Sequence, residues 1–71
     1  MDMRKLVGRN VRRVREHQGL TQEAFAEKAG FSQQYLSDLE NGKRNPTIIT
    51  LYEIGKALGV NVEDLVRPVK R

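Results

Sequence analysis

Apolar residues recur at three- and four-residue intervals along this chain, and the periodic runs are bounded by capping residues on one side and glycine or proline on the other. Val7, Val11 and Val14 form the stripe of an amphipathic helix predicted from about Asp2 or Met3 to His17, with Gly19 as its stop. Gly8 stands inside that helix at a cost of roughly 1 kcal/mol relative to alanine, and the sequence alone gives no reason for it. A second helix should start near Gln22, because the Thr21 hydroxyl can accept from the first turn and Glu23 complements the positive end of the dipole. Phe25, Ala26 and Ala29 share one face of it, the Ala26 methyl lets another helix approach closely, and Gly30 turns the chain. Ser32 can cap a third helix from Gln33 to Glu40, which stops at Asn41 and Gly42.

Lys43 to Pro46 reads as a loop, since the proline disfavours helix just before it. Thr47 then opens a fourth helix to about Leu58, with Ile48, Leu51, Ile54, Ala57 and Leu58 at helical spacing and Gly59 as its end. Asn61 can cap a short fifth helix over Val62 to Val66, Glu63 and Asp64 suit its first turn, and Pro68 closes it. The pattern contains no strand, repeat or low-complexity segment. It predicts an all-α fold, a compact five-helix bundle, with residues 1–71 as one small domain.

The third helix carries the least core-like residues. At about 100° per residue, Leu36, Leu39 and Glu40 cluster on one side; Gln34 and Asp38 lie nearly opposite, with Gln33 and Ser37 on one flank and Tyr35 on the other. Only the leucine side can be core. On an arbitrary helix the row Gln33, Gln34, Ser37 and Asp38 would be a solvated face. Here it follows a tight helix, turn, helix spacing over about residues 21–42, in a basic chain, which points to nucleic acid.

Charge strengthens that reading. The net charge is +4 and the isoelectric point about 9.9, which favours an acidic partner. Arg4, Lys5, Arg9, Arg12, Arg13 and Arg15 crowd the first helix, Lys43 and Arg44 follow the third, and Arg67, Lys70 and Arg71 form a basic tail. The narrow valine stripe of the first helix suits packing on other helices better than insertion into a membrane surface. No apolar run approaches the roughly 20 residues that cross a bilayer, and no secretory signal is visible, so a cytoplasmic location is expected. The chain has no cysteine, which excludes disulfides and thiolate metal sites, and its single histidine, His17, reads as a surface residue that cannot build a zinc site alone. No glycine-rich phosphate loop and no nucleophile with a base at meaningful spacing is present, so neither catalysis, a cofactor nor a small-molecule effector is expected.

Gly19-Leu20-Thr21-Gln22, Ala26 and Gly30 of the turn unit, Leu36 and Leu39, then Glu40-Asn41-Gly42-Lys43, Pro46 and the later run from Leu51 to Val60 carry a family likeness. From Val7 to Leu65 the sequence resembles the DNA-binding domain of phage Cro and repressor proteins, the xenobiotic-response-element helix-turn-helix family with a lambda-repressor-like fold. The resemblance implies a transcriptional regulator of double-stranded DNA, a repressor or controller protein on a near-palindromic operator. It places Gln33 and Gln34 at base-reading positions, where a glutamine amide can bond adenine at N6 and N7. Ser37 and Asp38 match the next exposed positions; Asp38 could accept from a cytosine amino group or repel phosphates from wrong registers. Gln22, Ser32, Asn41, Lys43 and Arg44 fall where the phosphate backbone should be held, and Tyr35 could reach a phosphate or cover the edge of the core. The family also sets an arginine from the end of the first helix opposite Glu40, which implies an Arg15–Glu40 salt bridge.

One recognition helix spans only a few base pairs, so two copies about 34 Å apart are expected on DNA. The pairing surface is expected around Val60, Val62, Leu65 and Val66, near the loop from Asn45 to Thr47. The alternative from a different class is a protein-interaction module, an antitoxin or bridging cofactor, that uses the same fold without reading bases.

Overall fold

In the computed structural model, which describes residues 2–68, the chain folds into α1 (Met3–His17), α2 (Gln22–Ala29), α3 (Gln33–Glu40), α4 (Ile48–Leu58) and α5 (Val62–Val66), with no strand among the described residues. Lys70 and Arg71 of the basic tail lie outside the described residues. The helix bounds follow the caps. Side-chain oxygens of Asp2, Thr21, Ser32 and Thr47 accept from the backbone N–H groups of Arg4, Ala24, Tyr35 and Thr50, partnering donors that a first turn leaves free. At α5 the Asp64 carboxylate reaches back 3.0 Å to the N–H of Asn61.

The core is built from Val11, Phe25, Leu36, Leu39, Ile54 and Leu65, all fully buried. Helix α1 rests on both α3 and α5, while α2 packs on α3 and α4. Two neighbours cover two sides of α1, so its buried arc is wider than the valine stripe and takes in Leu6, Gly8, Asn10 and Arg15. The buried polar side chain of Asn10 is fully used, because its amide donates to the Leu65 and Arg67 carbonyls at 2.9 and 2.8 Å and so supplies partners to the C-terminal end of α5.

Gly8 has a structural reason. A Cβ at that position would stand 2.4 Å from the Leu39 carbonyl oxygen and 2.7 Å from that of Glu40, so the backbone of α1 lies directly on the last turn of α3. The absent side chain lets α1 set the depth of the helix that carries the polar row.

One expectation about apolar residues is corrected. Ile48 is not core; it is 65% exposed and forms an outward patch with Ile49 and Tyr52, 67% and 60% exposed. Leu65 is fully buried, while Val60, Val62 and Val66 pack on the core and remain partly exposed. Helix α5 closes the bundle over α1 and α4.

Candidate nucleic-acid interface

The turn between α2 and α3 is short because Gly30 takes a left-handed conformation, φ 79°, which directs its own N–H and that of Phe31 back to the Ala26 carbonyl at 2.9 and 3.1 Å. Ala26 is buried, and its small side chain lets α3 cross close above α2. Ser32 starts α3 at once, its hydroxyl oxygen accepting from Tyr35 N–H at 3.0 Å.

The inner face of α3 is fixed by Leu36, Leu39 and a buried ion pair. Arg15 Nε donates to Glu40 Oε2 at 2.7 Å and Nη2 to Oε1 at 3.0 Å, a two-pronged contact with both side chains nearly removed from water. A third prong, Nη1, donates to the Leu20 carbonyl at 2.7 Å. The hydrogen bond to Glu40 raises the Arg15 pKa above its ordinary value against the opposing effect of burial, which keeps the guanidinium charged. Gln22 Nε2 completes the carboxylate's partners at 3.0 Å. One carboxylate thus ties α3 to the end of α1 and the start of α2.

That network alters what Gln22 can offer. One of its amide N–H groups donates inward to Glu40, which leaves the second N–H beside the early backbone N–H groups of α2, donors without intrahelical partners. Asn41 is also engaged, its Nδ2 donating to the Ser37 carbonyl at 2.9 Å and closing the C-terminal end of α3. Ser32 accepts at its cap and still has its own O–H to donate.

On the outer face Gln33 and Gln34 are exposed, and Ser37 and Asp38 are half-buried beside them. They form one continuous polar surface without an aliphatic side chain. Gln34 Nε2 donates to Asp38 Oδ1 at 3.0 Å, and Arg44 Nη2 faces Asp38 Oδ2 at 3.5 Å. The Arg44 guanidinium also lies 5.1 Å from the centre of the Tyr35 ring, which stacks on Phe31 at 5.5 Å. Tyr35 therefore covers the core edge and supports the arginine. Lys43 is exposed next to it. Sequence reasoning misses Phe31 and the Gln34–Asp38–Arg44 chain; the i, i+4 spacing of Gln34 and Asp38 is the one available signal, whereas Arg44 arrives from a loop. Among the described residues there is no group of histidine, cysteine and carboxylate side chains that could hold a metal.

A short helix set outward across a glycine turn, with a polar face and a buried ion pair beneath it, is the framework of a helix-turn-helix unit. A family model described as helix-turn-helix matches residues 11–65. Over 68 residues the chain is 63% identical to the HTH-type transcriptional regulator y4dJ of Sinorhizobium fredii, covering 96% of this chain and 88% of that protein. It is 36% identical over 66 residues to the control protein C.SmaI of Serratia marcescens, covering 93% of this chain and 79% of that one. Among solved structures, the master regulator for biofilm formation SinR, crystallised in complex with DNA, superposes with a TM-score of 0.80 at 34% identity, over 86% of this chain and 98% of that one. The chain belongs to the helix-turn-helix family, in its Cro and repressor branch, a class of transcription regulators rather than enzymes.

Proposed function

We propose that this protein regulates transcription by placing α3 in the major groove of a specific double-stranded DNA sequence, as a dimeric repressor or controller protein on a near-palindromic operator. One observation carries the reading: the outer face of α3 presents Gln33, Gln34, Ser37 and Asp38 while its inner face is locked by Leu36, Leu39 and the Arg15–Glu40 pair. The major groove, about 12 Å wide, admits one helix presented in this way. Gln33 and Gln34 read base edges. Lys43, Arg44, the Ser32 hydroxyl and the start of α2 hold phosphates on either side, with the spare amide N–H of Asn41.

The bacterial origin of the two relatives named above supports a bacterial or phage-encoded, cytoplasmic regulator, and no helix among the described residues is long and apolar enough to cross a membrane. The partly exposed Val60, Val62 and Val66 at the C-terminal end, with the exposed Ile48, Ile49 and Tyr52 one loop beyond α3, supply the apolar surface for a second copy. Selection from random-sequence duplexes followed by mobility shift tests the reading. Recovery of a discrete, near-palindromic motif is expected. A protein-interaction module on the same fold would return no motif.

A further inference from the structure

Asp38 ends the polar row, yet both of its carboxylate oxygens already face side chains of the protein: Oδ1 accepts from Gln34 Nε2 at 3.0 Å, and Oδ2 lies 3.5 Å from Arg44 Nη2. A carboxylate only accepts, so this contact fixes which end of the Gln34 amide faces Asp38: the NH2 group must, and the carbonyl oxygen must not. Arg44 in turn holds the carboxylate from its other side, itself seated on the Tyr35 ring. We infer that Asp38 is a positioning residue that fixes the amide of Gln34 and thereby makes it select adenine over guanine, instead of contacting a base itself.

The selection follows from donor supply. The Gln34 amide has two N–H donors and one carbonyl acceptor. Asp38 takes one N–H, leaving one donor and one acceptor to face the groove. Adenine presents one acceptor, N7, and one donor, the N6 amino group, which that remainder matches. Guanine presents two acceptors, N7 and O6, which would require both amide hydrogens and so strip Asp38 of its bond. The negative charge beside the fork also repels the guanine oxygen.

The inference rests on Gln34 being a base contact, and the experiment separates the two claims. Operators would be selected with wild type, Gln34→Ala and Asp38→Asn, and the relative affinities for adenine and guanine compared at each position. Thermal unfolding and binding to random duplex would verify that each variant is folded. Gln34→Ala identifies the base it reads by loss of preference there. Asp38→Asn keeps the shape but can turn its own amide to donate, freeing both Gln34 hydrogens. At that same base the adenine-to-guanine ratio should then fall about tenfold, within the roughly 5- to 150-fold that one bidentate contact supplies. Normal unfolding with an unchanged ratio overturns the positioning role, as does loss of preference at a separate cytosine, which would make Asp38 a reader in its own right. If Gln34→Ala alters no base preference, base reading by Gln34 fails and the inference falls with it.

Discussion

Replacing Gly8 by alanine sets helix propensity against packing, and the structure decides which wins. Alanine should stabilise the isolated α1 by roughly 1 kcal/mol. Its methyl carbon, however, would lie 2.4 Å from the Leu39 carbonyl oxygen, 2.7 Å from the Glu40 oxygen and 2.9 Å from the Glu40 carbonyl carbon. Non-bonded contacts of carbon are best near ~3.5 Å or beyond, so the two helices would have to separate by about 1 Å. The obstructing atoms are backbone and cannot rotate away, which puts the strain toward the upper part of the ~1–3 kcal/mol seen for overpacked cores. Separation also pulls Glu40 from Arg15, a bond now 2.7 Å long. A net loss of about 2 kcal/mol is expected, or roughly 8–16 °C in melting temperature for a domain of this size. Thermal unfolding followed by circular dichroism measures it. A variant that melts at or above the wild-type temperature would show that α1 does not sit on the α3 backbone as described.

Glu40→Gln removes one member of a buried pair and leaves the Arg15 guanidinium without its counter-charge; a loss of about 3–5 kcal/mol is expected as an earlier urea midpoint, and an unchanged midpoint would mean the pair is not structural. Lys43→Ala should weaken binding to all duplexes alike and reduce the salt slope by about one unit, measured by titration across salt concentrations; a change confined to the operator would contradict a phosphate role. Sedimentation of the operator complex should give two chains per site for wild type and a loss of pairing for Ile49→Glu, since Ile49 is 67% exposed and its replacement leaves the core untouched. One wild-type chain per site would rule out the paired arrangement.

The helix boundaries are legible in the sequence because they are set locally. Thr21, Ser32 and Thr47 each cap the turn they precede, and Gly30 and Gly59 each end one, all within four residues of sequence. What depends on distant neighbours is less legible. Periodicity gives Ile48 a core face but cannot show whether another helix extends far enough to cover the first turn of α4. Nor can it show that α1 is flanked on two sides, which buries Asn10 and gives Gly8 its purpose. The same limit applies at the site. The resemblance places Gln22 on a phosphate, and periodicity cannot show that one of its amide hydrogens also bonds the Glu40 carboxylate, 18 residues on. Gln33, Gln34, Ser37 and Asp38 are legible as a row because helical geometry alone puts them on one face; the link from Asp38 to Arg44 needs the fold of the loop after α3.

The most direct test of base reading by α3 compares Gln34→Ala with wild type on the selected operator and on random duplex at one salt concentration. Loss of a base contact predicts about 1–3 kcal/mol weaker operator binding with nonspecific affinity nearly unchanged. An equal fall in both affinities would contradict base reading and make the outer face of α3 a surface for something other than sequence.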